Sequence, residues 1–335
     1  MSGLTVYELP TAPPGKTGWP WSRPEPAPEQ FIPDNQSWPR ISVVTPSYNQ
    51  AQFLEETIRS VLLQDYPDLE YIIIDGGSTD HSVEIIRKYA SFLAYWISEK
   101  DNGQSHAINK GWKRVTGEII SWLNSDDLYT PNALFAVGEA HVFNPGNIIA
   151  GKVINFKTAI TNPLQTIVPE NLTWQNFLKF WQHELIWHQP GIFFPRTAWL
   201  KTGPLDENFF YCMDRDYMVR ILQYAPVSYI NTALAYFRIH DRSKTQSFDE
   251  HRFIRERTRI VEKYSHQLPT TDQKSMARFW LSLASYYLSR ACLKDTIRCT
   301  SKSTRILVQI FINFFRHSFL NLLKDRLKIF LNKIL

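Results

Sequence analysis

From Ile41 to Phe143 the chain alternates short apolar runs with helical patterns, and no other feature narrows its fold as much. Ile41-Ser42-Val43-Val44-Thr45 is β-branched, and the stretch after it places Leu54, Ile58, Val61 and Leu62 on one helical face. A second unit repeats this order. Tyr71-Ile72-Ile73-Ile74 runs into Asp75-Gly76-Gly77-Ser78-Thr79-Asp80, and a helical pattern follows through Val83, Ile85 and Ile86 to Tyr89. Tyr95-Trp96-Ile97 is a third apolar run, Gly103 to Val115 a helix, and Glu118 to Leu123 a fourth strand that leads into Asn124-Ser125-Asp126-Asp127. Thr130 then reads as the N-cap of another helix, with Pro131 in its first turn. Strands alternating with helices imply an α/β fold with a parallel sheet, and ligands of such sheets sit beyond the carboxyl ends of the strands. The polar clusters at Ser47 to Asn49, Asp75 and Asp126 to Asp127 all fall there.

Past residue 145 the pattern is less regular. A strand is expected near Ile148 to Ile154, a helix from about Asp214 to Tyr224, and two strands near Val227 to Ile230 and Leu234 to Arg238. Aromatic-rich segments lie between, around Trp174 to Trp187, and from about 250 the pattern is helical throughout. Three parts follow: a Pro-rich extension over 1–39, an α/β domain over 40–245, and a helical C-terminal region over 246–335. The extension holds nine of the twenty prolines and reads as extended and poorly ordered, with Trp19, Trp21 and Trp38 suggesting contact with a surface. It has no charged start followed by an apolar run, so no secretory signal is expected. Gly15-Lys16-Thr17 resembles the end of a phosphate-binding loop, but the earlier glycine is missing and no strand precedes it.

Composition excludes other classes. At 44% hydrophobic residues the chain is not a disordered polymer, and Cys212, Cys292 and Cys299 are too few for a disulfide scaffold or a structural zinc site. A reducing compartment fits. The net charge of +5 is carried by residues 301–335, with seven basic residues against Asp325, so the remainder is near neutral and no nucleic-acid partner is expected.

Adjacent carboxylates at Asp126 and Asp127 repel unless water or a cation separates them. Alone, such a pair is a solvated turn and helix cap; at the end of a strand, in register with Asp75, it favours a divalent ion. Hard oxygen ligands select Mg2+ or Mn2+, which bring phosphate oxygens with them. Asp75, followed by two glycines, can accept a base N–H or a ribose hydroxyl beside a backbone that a flat ring can approach. A dinucleotide fold would need a Gly-rich turn after the first strand, and Thr45-Pro46-Ser47-Tyr48-Asn49-Gln50 has no glycine. Asp216 and Arg220, four apart, suit a structural ion pair, whereas Asp214 has no such local partner and suits a general base.

Taken in order, these motifs resemble bacterial family 2 glycosyltransferases of the GT-A fold that act in surface-polysaccharide assembly. The anchors are Val44 to Asn49, Ile74 to Asp80, Asp101-Asn102-Gly103-Gln104 with Asn109-Lys110-Gly111, Asn124 to Asp127, Gln189-Pro190-Gly191, Met213 to Asp216, and Arg238-Ile239-His240. The resemblance spans roughly 40–245. It implies a nucleotide-binding mixed sheet flanked by helices, with a C-terminal helical extension. It also implies transfer of a sugar from a nucleoside-diphosphate sugar to a hydroxyl of a glycan or polyprenyl-linked acceptor, with inversion and a bound metal. Pro46, Tyr48, Asn49, Asp75, Asp126 and Arg238 would bind the sugar nucleotide, Asp127 and His240 the metal, and Asp214 would be the catalytic base. His188 is a candidate for the acceptor site. Gly76 stands where the family more often has Asp, Met213 where it has Glu, and His106 where Asp is frequent. The competing class is a sugar-nucleotide-binding or scaffold protein of the same fold without catalysis; a nucleotidyltransferase is a third.

The C-terminal stretch from Phe319 to Leu335 is amphipathic and basic, and the longest charge-free run of the 301–335 tail, Ile306 to Phe315, is too short to span a bilayer. It either lies on a membrane or packs on the domain with its basic face in water. The expected location is the cytoplasm, peripheral on the cytoplasmic face of the inner membrane if the tail binds lipid.

Overall fold

A computed structural model describes residues 9–22, 37–182, 184–241, 243–244, 249–289, 295 and 297–309. The expected β/α order is present: β1 (Ile41–Ser47), α1 (Ala51–Leu62), β2 (Leu69–Asp75), α2 (Ser82–Lys88), β3 (Tyr95–Ser98), α3 (Gln104–Trp112) and β4 (Ile119–Trp122). The four strands pair in parallel in the order β3-β2-β1-β4, and the register aligns Ser47 with Asp75 and Asp75 with Ser98. Their near-continuous apolar sequences follow from burial on both faces: Ile41, Val43, Val44, Ile73 and Ile120 have no exposed surface. Leu54, Ile58 and Val61 of α1 are equally buried, each burial being worth about 1.5–3 kcal/mol.

Beyond β4 the sheet becomes mixed. β5 (Leu128–Tyr129), α4 (Ala133–Phe143), β6 (Ile148–Phe156), β7 (Pro163–Ile167), α5 (Trp174–Leu178), β8 (Ile192–Pro195), α6 (Arg196–Thr202), α7 (Met213–Ile221) and β9 (Val227–Arg238) follow in turn. The strand order continues β4-β8-β6-β9-β5, with β8 antiparallel to both neighbours and β9 parallel to β6, while β7 pairs with β6. The carboxyl ends of β1, β2, β3, β4, β6 and β9 therefore share one edge.

Three expectations change. The two strands expected over 227–238 are one, whose register against β6 shifts at Lys152. The helix expected from Thr130 starts at Ala133, with Asn132 in the left-handed region at φ 61° before it. Thr130 does not cap it: its hydroxyl donates to the Ala233 carbonyl at 2.5 Å and its backbone to Leu234. Parts of the N-terminal extension are not loose, because 9–22 folds through two turns onto α1 and β5, with Gly15 and Gly18 at positive φ.

The chain divides into two units, Met1–Phe180 with Glu184–Glu262, and Trp181–His183 with Lys263–Leu335. The boundary falls inside α8 (Glu250–Tyr264). In the second unit α9 (Gln273–Ser289) receives Trp181, stacked on Phe279 at 4.8 Å, and a helix over 297–309 whose Ser303 donates to the Ala277 carbonyl. Among the described residues no helix is long and apolar enough to cross a membrane. Cys212 and Cys299 are buried. Cys292 and residues 310–335, which hold most of the amphipathic basic tail, lie outside the described residues.

Candidate active site

Asp75 ends β2 with no exposed surface, and its carboxylate accepts from the backbone of Gly77 and Ser78 and from the hydroxyls of Ser78 and Ser98. These four donors make it the organiser of the 76–80 loop. Asn49, left-handed at φ 52°, joins that loop to the end of β1: its amide oxygen accepts from Thr79 N–H, and its own N–H donates to the Ser78 hydroxyl. Pro46 is buried beneath, and the Tyr48 ring stands out at 60% exposure. The glycine at position 76 has a spatial reason. A Cβ there would come within 2.7 Å of the Asp101 carboxylate, which accepts from Gly103 N–H at the start of α3. His106 takes part in the same turn, its Nδ1 accepting from Asn102 N–H at 3.0 Å.

Asp126 and Asp127 occupy the turn after β4, and their environments differ. Asp127 is 1% exposed; one oxygen accepts from Arg238 N–H at 3.0 Å and the other from the Asn124 amide at 3.2 Å. Burial, and next the charge of Asp126, push its carboxyl well above the ordinary carboxylate range. Asp126 reaches outward to His240, with Oδ2 2.9 Å from Nε2. Arg238, expected to bind the sugar nucleotide, lies between Phe53 and Phe156 at 4.5 Å from each ring; it donates to the Asp126 carbonyl and to Glu56 at 2.6 Å. Its contacts hold the acidic turn in place.

Asp214 lies in the first turn of α7, half-buried, accepting from Arg215 N–H at 2.7 Å. Burial raises its carboxyl pKa, against the pull of Arg215 and Lys244. Asp216 has no exposed surface and pairs with Arg220 at 2.9 Å, the structural pair its spacing implies. Met213 puts its sulfur against the Ser105 hydroxyl of α3, a contact a Glu there would replace with a charge. His188 stacks on Phe237 at 4.3 Å; burial pushes its pKa down to about 4, and its Nε2 has no protein partner.

Three residues the motifs did not assign complete the site. Lys244 donates to Gln104 Oε1 at 2.6 Å, Gln104 donates to Asn124, and Asn124 donates to Asp127, so one hydrogen-bond chain runs from beside Asp214 to the acidic turn. Burial pushes Lys244 down to about 8. Glu256 of α8 accepts from the backbone of Phe210, Tyr211 and Cys212, placing a carboxylate at the amino end of the helix that carries Asp214. Gln104 lies inside a recognised motif, but Glu256 is more than 40 residues from its partners and gives no local signal.

Among the described residues no three His, Cys, Asp or Glu side chains form a cluster that could hold a metal unaided. Asp127 uses two of its roughly four acceptor sites, and a dication would relieve both causes of its raised pKa. Magnesium-like ions are commonly held by one or two carboxylates with phosphate oxygens completing the shell, and the adjacent carboxylates of Asp126 and Asp127 are compatible with that arrangement.

Comparison with known proteins gives the family. The glycosyl transferase family 2 model matches residues 42–209, and the chain belongs to that family. It is 29% identical over 221 residues to an uncharacterized glycosyltransferase of Rickettsia typhi, covering 62% of this chain and 67% of that one. It is 36% identical over 99 residues to a putative teichuronic acid biosynthesis glycosyltransferase of Bacillus subtilis, 29% of this chain and 39% of that one. The fold is that of S. aureus TarS 1-349, solved in complex with UDP-GlcNAc, with a TM-score of 0.55 at 14% identity over 79% of this chain and 92% of that one. This is the GT-A architecture that the motifs imply.

Proposed function

We propose that the protein is a metal-dependent, inverting hexosyltransferase that moves a sugar from a nucleoside diphosphate to a hydroxyl of a glycan or polyprenyl-linked acceptor in cell-surface polysaccharide assembly. The observation that carries this is the pairing of Asp214 with the Asp126-Asp127-His240 turn across Lys244 and Gln104. The teichuronic acid relative supports the polysaccharide setting, and the UDP-GlcNAc complex of TarS supports the donor class.

In this scheme the nucleoside lies against the Tyr48 ring, over the loop that Pro46, Asn49 and Asp75 shape. Asp126, Asp127 and His240 would hold Mg2+ or Mn2+ against the diphosphate, and the ion would neutralise the charge that grows on the leaving group. Lys244 adds a positive charge between the two acidic groups. On the opposite side of the sugar Asp214 accepts the proton of the attacking hydroxyl, and its raised pKa makes it a better base than an ordinary aspartate. One displacement then inverts the anomeric centre. His188, neutral, would line the acceptor side without bonding it, because its Nε2 has no surface open to a ligand.

The test is nucleoside-diphosphate release from UDP-, GDP- and dTDP-sugars, with and without manganese. Release from one donor class that requires the metal is the expected result. Pyrophosphate release would instead indicate nucleotidyl transfer, and binding without release would indicate the non-catalytic class.

A further inference from the structure

Arg59 occupies the outer side of α1, where a lone arginine would ordinarily face water, yet it is only 4% exposed. The segment 9–22 covers it. Its guanidinium donates to the carbonyls of Pro10 at 2.7 Å, Pro20 at 3.1 Å and Trp21 at 2.9 Å, and lies 5.4 Å from the Trp21 ring. Three main-chain carbonyls on one buried guanidinium fasten the segment as a strap, and such charge-assisted bonds are each stronger than a neutral one.

The strap also touches the acidic turn's supports. The Trp19 indole N–H donates to the carbonyl of Tyr129, two residues beyond Asp127, at 2.9 Å. Lys16 Nζ lies 3.3 Å from Glu56 Oε1, and the other oxygen of Glu56 takes Arg238 at 2.6 Å. Arg238 in turn bonds the Asp126 carbonyl through Nε and the Asp127 carboxylate through its backbone. The residue after Glu56 in α1, Thr57, donates to the Asp127 carbonyl. The segment thus reaches the turn by two routes, a hydrogen bond to its following strand and a charge chain, Lys16 to Glu56 to Arg238. Lys16, once of interest as part of a phosphate-loop remnant, is engaged in this chain.

We infer that residues 9–22 are a positioning element of the transfer site, a strap that sets the acidic turn and Arg238 so that binding of the nucleoside diphosphate with its cation depends on chain outside the family domain. The inference rests on the transferase reading above. Neither Lys16, Trp19 nor Glu56 touches the reacting atoms; each acts through Arg238 or the 126–129 turn.

The experiment uses the full chain as wild type, Lys16→Met, Lys16→Arg, Trp19→Phe and Glu56→Gln, with UDP, GDP and dTDP each titrated in the presence of manganese, and donor KM and kcat measured beside thermal melting. Lys16→Met and Trp19→Phe are expected to weaken binding and raise KM by about 2- to 5-fold, the scale of one partly exposed ion pair or one hydrogen bond. Glu56→Gln, which cuts the chain at its centre, is expected to raise KM by on the order of 10-fold. In all three kcat should stay within about 2-fold, and Lys16→Arg should restore wild-type KM. A purely structural strap would lower the melting temperature and leave KM unchanged, and that result overturns the inference, as does unchanged binding in Glu56→Gln. Absence of nucleoside-diphosphate binding in the wild type would overturn the transferase reading itself, a separate outcome.

Discussion

Two residues give the site its expected response to pH. Asp214 must be ionised to accept a proton, and burial raises its pKa, so activity should fall on acidification at a higher pH than an ordinary aspartate, near 3.9, would allow. Lys244 must be charged to oppose the leaving group, and burial pulls it down to about 8, so activity should fall again above that value. The expected profile of kcat/KM at saturating manganese is a bell, and Lys244→Met should lower its height and remove the basic limb. A basic limb unchanged in that variant would show that the lysine does not titrate in the reaction. At this scale strand ends and motif order single out Asp126, Asp127, Asp214 and His240 in the sequence, and the structure brings His240 against Asp126. The enclosure of the Arg238 guanidinium by Phe53, Phe156 and Glu56 gives no such signal, since a buried arginine and a ligand-facing one have the same one-letter context.

Among the elements, α7 carries the proposed base. The three residues leading into it are held by Glu256, whose carboxylate takes the backbone N–H groups of Phe210, Tyr211 and Cys212. Glu256→Ala should lower stability by about 1–2 kcal/mol in urea unfolding and reduce kcat by about 10-fold or more, because Asp214 would no longer be fixed. Unchanged kcat with reduced stability would confine Glu256 to folding. Strands β1 and β2 and helices α1 and α3 are legible from periodicity because each carries a stripe of buried residues. Strands β5 and β8 have two and four residues, too few for a period to register, and β7 is largely exposed. β9 was divided in sequence because Asn231 and Thr232 interrupt an apolar run that the structure continues through a shift of register. The strap over 9–22 was unreadable as structure for another reason: Pro-rich chain has no period, and its anchor, Arg59, lies about 40 residues away.

For the whole molecule, the sheet brings six strand ends to one edge, and the chain belongs to a glycosyl transferase family. The central claim is a division of labour: the Asp126-Asp127-His240 turn holds cation and diphosphate, and Asp214 only moves a proton. Calorimetric titration of the donor's nucleoside diphosphate with manganese into Asp127→Asn and Asp214→Asn proteins tests it most directly. Asp214→Asn should bind within about 3-fold of wild type while turnover drops by about 100- to 10,000-fold, and Asp127→Asn should lose the manganese-dependent part of binding. Manganese-dependent binding that survives in Asp127→Asn, or full turnover in Asp214→Asn, would contradict it.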